Sequence, residues 1–266
     1  MTNTLKRLVA SSLVLSLMLA SSPAIAQGTA SGTSVVNVAT VDFQVGGVNQ
    51  AQQSSNNATF VVDRKVNLTV AEVGNVTTTV APGSSLQITA FTLQNTSNAT
   101  LDFALTTAQQ AGGTASHGGT DTFDVTAVQV YRDNNGNGLI DGADAIVTFI
   151  DELAADATVN LLIVASVPAG LLTGAVADVS LIATGREGGG AGSLGAALVQ
   201  TTGANTAGVD TVFADTAGTN DGARDAAHSD DDDYTVAAAA LTAVKSSNVV
   251  SDPFNGTTNQ IGRAHV

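Results

Sequence analysis

Apolar and polar residues alternate in short runs along most of this chain, and Gly, Pro, Asn and Ser stand between the runs. Val66-Asn67-Leu68-Thr69-Val70 and Leu86-Gln87-Ile88-Thr89-Ala90-Phe91-Thr92-Leu93 show the pattern most clearly. Such alternation puts every second side chain on one face of an extended strand. Residues 35–41, 43–45, 60–62, 101–105, 123–131, 146–150, 158–167 and 176–183 read as further strands. Gly46-Gly47, Pro82-Gly83, residues 95–98 and Pro168-Ala169-Gly170 carry the turn chemistry that separates them. Residues 108–122 are Gly/Thr-rich and read as a loop, and no long amphipathic helix pattern occurs. Many short strands without helices predict an all-β, antiparallel β-sandwich. Beyond residue 184 the alternation fades, and residues 185–240 read as a Gly/Ala/Asp-rich irregular segment, an elaborated loop or linker.

The N-terminus predicts export. Lys6 and Arg7 precede an apolar run over residues 8–20, and Pro23 leads into Ala24-Ile25-Ala26, small residues of the kind a signal peptidase reads. Residues 1–26 are therefore expected to be a signal peptide, cleaved before Gln27. The run is too short for a comfortable membrane anchor, and no second long apolar stretch follows, so no membrane insertion is expected after its removal. The chain has no Cys, so disulfides cannot staple the fold in an oxidising compartment. Aromatic residues make up only 4 % of the chain, which leaves the core to Val, Ile, Leu and Ala. The formal net charge is −14, and loss of Lys6 and Arg7 with the leader takes it to −16. A field of that sign repels nucleic acid and anionic lipid and attracts cations. Only Glu72, Glu152 and Glu187 are Glu; the other acids are Asp, a residue of turns and cation loops.

Residues 133–144 (DNNGNGLIDGAD) concentrate the chemistry. Asp133, Asn135, Asn137, Asp141 and Asp144 occupy the first, third, fifth, ninth and twelfth positions, and Gly138 the sixth. That is the rhythm of a calcium loop, with the carbonyl of Leu139 supplying the seventh ligand and Ile140 the apolar anchor after it. Asn replaces Asp twice and Asp144 stands where a bidentate Glu is usual, so weak binding suited to extracellular calcium is expected. The flanks read as strands, which makes this a calcium loop without helices. The bland alternative is a long Asn/Gly-rich hairpin connection.

Other candidates are weaker. Four adjacent Asp, residues 230–233, read as a solvated acidic run rather than a cation site. His117 lies in a Gly/Ser/Thr loop and His228 beside the acidic run; both read as exposed, because no third zinc ligand stands at recognisable spacing. No nucleophile elbow, paired-His zinc motif or phosphate loop is present, and Gly188-Gly189-Gly190 reads as flexible loop. The expectation is a non-catalytic chain. Asn57-Ala58-Thr59 and similar triplets follow from Asn/Thr richness and are not read as glycosylation sites.

Residues 82–100 (PGSSLQITAFTLQNTSNAT) resemble the opening of a conserved repeat domain of unknown function found in tandem in bacterial surface proteins. Leu153-Ala154-Ala155-Asp156-Ala157, a strand, and Val167-Pro168-Ala169-Gly170 are similar to its later half. The resemblance covers roughly residues 63–184 and implies an Ig-like β-sandwich; the loop at 133–144 is an insertion the generic repeat lacks. It divides the chain into a signal peptide (1–26), a β-hairpin region (27–62), the sandwich (63–184), the irregular segment (185–240) and the start of a further repeat (241–259). Residues 260–266 (QIGRAHV) contain IGRAHV, which suitable codons make identical to a common sequencing adapter. The natural protein is therefore expected to continue beyond them.

These readings predict a secreted or cell-surface structural or interaction module of a larger bacterial repeat protein, stiffened by calcium. Its partners would be neighbouring repeats, other surface proteins or glycans, and not nucleic acid. One rival is a calcium-dependent adhesin or carbohydrate-binding domain, which the two Tyr and eight Phe support poorly. Another is the noncatalytic N-terminal part of an exported enzyme.

Overall fold

Alternation along the strands finds its partner in two five-stranded sheets. The computed structural model describes residues 28–239 and 244–246. The expected signal peptide, the further repeat and the adapter-like tail thus lie outside the described residues, apart from Val244, Lys245 and Ser246. Among the described residues the fold is all-β, with no helix.

An arm comes first. β1 (Ser34–Asn37), β2 (Thr40–Val41) and β3 (Gln44–Val45) run out, and β4 (Val48–Asn49), β5 (Gln53–Ser54) and β6 (Ala58–Val61) return against them. Gly46 and Gly47, at φ +60° and +82°, turn the hairpin in the left-handed region that both central residues of a tight primed turn require. Val41, Val45, Val48 and Phe60 stay exposed on it.

The sandwich follows, from β7 (Arg64–Val66), β8 (Leu68–Glu72), β9 (Thr78–Val80), β10 (Gln87–Asn95), β11 (Leu101–Gln109), β12 (Thr126–Asp133), β13 (Ala145–Ile146), β14 (Phe149–Leu153), β15 (Thr158–Ser166), β16 (Val176–Glu187), β17 (Thr211–Phe213) and β18 (Ala227–Val236). The first sheet has the order β13-β12-β15-β10-β8 and the second β14-β11-β16-β18-β9. All pairings in them are antiparallel except β18 with β9; β7 pairs separately, in parallel, with β17. Leu68, Val70, Phe91, Leu93, Leu161 and Ile163 of the first sheet share one core with Leu101, Phe103, Val179, Leu181 and Tyr234 of the second. Each such side chain, fully buried, contributes about 1.5–3 kcal/mol of transfer free energy. Asn95 is buried among them, and it donates to the carbonyls of Ala99 and Leu153 while accepting from the Ser97 amide.

Three expectations need correction. The strand read over residues 146–150 is two strands in different sheets, because Val147 still bonds the Val130 carbonyl while the Thr148 carbonyl already accepts from Leu105. The sandwich does not end at residue 184: β18 lies inside the second sheet, between β16 and β9. The acidic run 230–233 is accordingly part of a strand, with Asp232 and Asp233 only 2 % and 0 % exposed, and not a solvated tract. Amides offered by a neighbouring strand explain why Asp is tolerated there. His228 and Asp230 accept the amides of Val70 and Glu72, which β8 presents on the side away from β10. The acidic strand so caps a sheet edge that would otherwise be open.

The opposite face of the second sheet is polar and covered by loops. Residues 185–226 do lack strands apart from the end of β16 and the short β17, yet Asp side chains tie them down at many points. Asp215 accepts the amides of Asp225 and Ala226, Asp102 that of Gly195, and Asn220 donates to Ser180 and Asp231. Short carboxylates suit this work because they reach a nearby amide with few rotamers to freeze.

Candidate functional site

Residues 133–144 connect β12 to β13 at the margin of the first sheet. Asp133 is buried at the end of β12, and its carboxylate accepts the amides of Gly136, Asn137 and Gly138 at 2.7, 3.3 and 2.9 Å. Gly138, at φ +70°, supplies the turn that the sixth position of the template demands. Asp144 closes the other end by accepting the amides of Asn134 and Asp141. Asn135 and Asn137 each donate a side-chain amide to Asp141, at 2.8 and 2.9 Å. The Ala143 amide and these two donors hold the Asp141 carboxyl below its ordinary range. Leu139 is exposed.

The loop therefore draws its oxygen residues around Asp141 with Asn amide groups pointing at that carboxylate. A cation in the same place would need both amides turned so that oxygen replaces nitrogen. A carboxylate oxygen carries two acceptor directions; Asp133 Oδ1 fills both, with Gly136 and Asn137, whereas Asp133 Oδ2, Asp141 Oδ1 and both oxygens of Asp144 accept one bond each and keep one direction open.

A second constellation is assembled from residues far apart in the chain. Glu72 at the end of β8, His117 in the loop after β11 and Asp232 on β18 bring one ligand atom each to within 4.8 Å of one another. His117 Nδ1 stands 3.5 Å from Asp232 and 3.8 Å from Asp233, and its Nε2 stands 3.9 Å from Glu72. The His117 side chain is 13 % exposed, so the expectation of an exposed loop histidine is corrected. The His117 amide is fixed by Asp233 at 2.9 Å, and the Ser116 amide by Asp178 at 2.6 Å. His228 is likewise engaged, as the acceptor for Val70.

Burial without an adequate counter-charge marks this region. Desolvation pushes the Asp232 carboxyl up to about 8, against the bond from the Asp233 amide and with repulsion from Glu72, Asp233 and Asp178 adding to it. Burial also raises Asp178, which the charges of Asp231 and Asp233 reinforce. Asp178 and Asp233 sit directly opposite each other across β16 and β18, an unfavourable pairing for like charges.

A third cluster, Asp102, Asp151 and Glu152, has its carboxylates occupied by a loop. Glu152 accepts the amides of Gly189 and Gly190, Asp151 that of Gly192, and Asp102 those of Glu152 and Gly195. The Gly-rich stretch read as flexible is thus anchored at four amides, those of Gly189, Gly190, Gly192 and Gly195.

The local twelve-residue loop was readable from spacing; the Glu72–His117–Asp232 group was not, because its members meet only through the pairing of sheets. One hint existed: the run 230–233 ends in Tyr-Thr-Val, an apolar strand signal directly after the acids. No protein-family model matches the chain, and no curated protein matches it in sequence.

Proposed function

We propose that this chain is an exported, non-catalytic β-sandwich module of a bacterial surface protein, serving as a spacer or interaction unit and stiffened by calcium at Asp133, Asn135, Asn137, Leu139, Asp141 and Asp144. The reading rests on one observation above others: a twelve-residue loop with calcium-type spacing closes on itself between β12 and β13, where the first sheet has its open edge. A cation there would hold the short β13 against β12 and blunt that edge. Export is supported by the leader-like N-terminus, and the repeat resemblance by residues 82–100 and 153–170. The interaction role is favoured by the arm, whose Val41, Val45, Val48 and Phe60 remain exposed.

Thermal unfolding with and without calcium tests the assignment. A ligand at about 100 times its Kd adds about 2.7 kcal/mol, and a domain of this size gains roughly 2–4 °C per kcal/mol. Saturating calcium should therefore raise the melting temperature of the wild type by roughly 5–10 °C. Asp141→Asn keeps the shape and removes one charge, and the shift should fall to less than half. Equal shifts in the two proteins would remove the calcium assignment.

A further inference from the structure

We propose that Glu72, His117 and Asp232 form a site for a divalent transition-metal ion of the zinc class, separate from the calcium-type loop. The distances carry the argument first. His117 Nδ1 stands 3.5 Å from Asp232 and 3.8 Å from Asp233, while the 3.9 Å gap to Glu72 is from the other ring nitrogen, Nε2. These gaps are longer than a charge-assisted hydrogen bond, which prefers about 2.7–2.9 Å. One ring nitrogen can serve an ion, and one ligand atom each from Glu72, His117 and Asp232 lies within 4.8 Å of the other two, so the three side chains can close on a shared centre.

Unpartnered oxygen is the second, independent observation. Asp233 is fully buried and its Oδ1 has no hydrogen-bond partner, and Asp178 opposite it, also buried, has an unpartnered Oδ1 as well. Oδ2 of the same Asp233 carboxylate accepts the His117 amide at 2.9 Å and lies 3.8 Å from His117 Nδ1, so this carboxylate borders the proposed site. Buried carboxylate oxygens left without partners are costly. Charge makes the same demand: Glu72, Asp178, Asp232 and Asp233 crowd together, and among the described residues no Lys or Arg forms an ion pair with them. His117 can offer one positive charge at most, whereas a divalent ion supplies two.

Ligand type selects the metal. An imidazole with carboxylates suits zinc and its neighbours, whereas calcium takes oxygen alone. Such an ion would join β8, the 110–121 loop and β18, and so lock the loop over the polar face of the second sheet.

The test is a calorimetric titration of zinc chloride into the full chain, stripped with chelator, dialysed, and kept in saturating calcium so that the loop site is filled. One equivalent should bind, and the His117 ring nitrogen signals should move in proportion while those of His228 stay in place. His117→Gln should weaken binding by more than the roughly 10–100-fold that loss of an outer partner costs. Asp232→Asn provides a second variant if the first does not fold, and Asp141→Asn should bind zinc as the wild type does. Binding no tighter in wild type than in His117→Gln, or unchanged His117 signals on zinc addition, would overturn the site. Loss of the calcium response alone would leave it standing.

Discussion

Residues 133–144 and residues 230–233 are the two acid-rich stretches of the molecule, and the same side chain serves them in opposite ways. In the loop, Asp133, Asp141 and Asp144 bend the backbone around themselves, and the oxygens converge from one local segment. In β18 the backbone of residues 230–233 is paired in register with β16, and the carboxylates reach outward to other elements: Asp230 to β8, Asp233 to the 110–121 loop. The loop would gain rigidity from an ion, whereas the strand already has it from a sheet. Asp content alone therefore says little about solvation; what decides is whether neighbouring elements present amides to the carboxylates.

The largest effect should separate the two regions by packing. Tyr234, next to the acidic run, is fully buried and directs its hydroxyl toward the carbonyls of Gln87 and Ile163. Tyr234→Ala should cost about 3–5 kcal/mol in chemical denaturation. Leu139→Ala, in the exposed loop, should change stability by no more than about 0.5 kcal/mol. Similar costs at the two positions would mean that β18 is not a core strand.

Asp230→Ala probes the capping of the sheet edge. It leaves the Glu72 amide without its acceptor, and a loss of about 1–3 kcal/mol is expected. A null effect would show that the edge of β8 finds water instead, and that the acidic strand is merely tolerated.

The last test of the strand is a pH slope measured in chelator. The Asp232 carboxyl lies near 8 in the fold and at 3.8 without it, so the folded chain holds an extra proton between those values. Stability is then fullest below about 4, declines as pH rises toward 8, and levels off above. The groups that face Asp232 are Glu72 of β8, Asp178 of β16, Asp233 of its own strand and His117 of the loop. Asp141 and Asp210, whose carboxyls lie below their ordinary range, pull oppositely only at more acid pH. A melting temperature that falls from pH 5 to pH 8 in wild type, and much less in Asp232→Asn, is the expected outcome. An identical slope in both would assign it to other groups.

Much of the sandwich was legible in residues 66–183. Alternation in 86–93 and 101–105 predicted β10 and β11 to within a few residues, because each buries one face against a single core. Gly46-Gly47 announced the turn of the arm by backbone freedom alone. β18 was not legible, since Asp is depleted in strands, and only the amides of β8 and of the covering loops make four of them acceptable. The split at Val147 and Thr148 escaped for a related reason: IVTFI is apolar but for Thr148, and periodicity cannot say where a chain passes from one sheet to the other. The oxygen spacing of the loop was visible because its side chains are neighbours in sequence. Glu72, His117 and Asp232 carried no such pattern.

Residue-resolved hydrogen exchange, recorded with and without calcium, tests the contrast most directly. Amides of Asp230 and Asp232, on the side of β18 that pairs with β16, should exchange slowly in both conditions. Amides of Gly136, Gly138 and Ala143 should exchange quickly without calcium and slow markedly when it is added. Fast exchange at Asp230 and Asp232, or loop amides indifferent to calcium, would contradict the account.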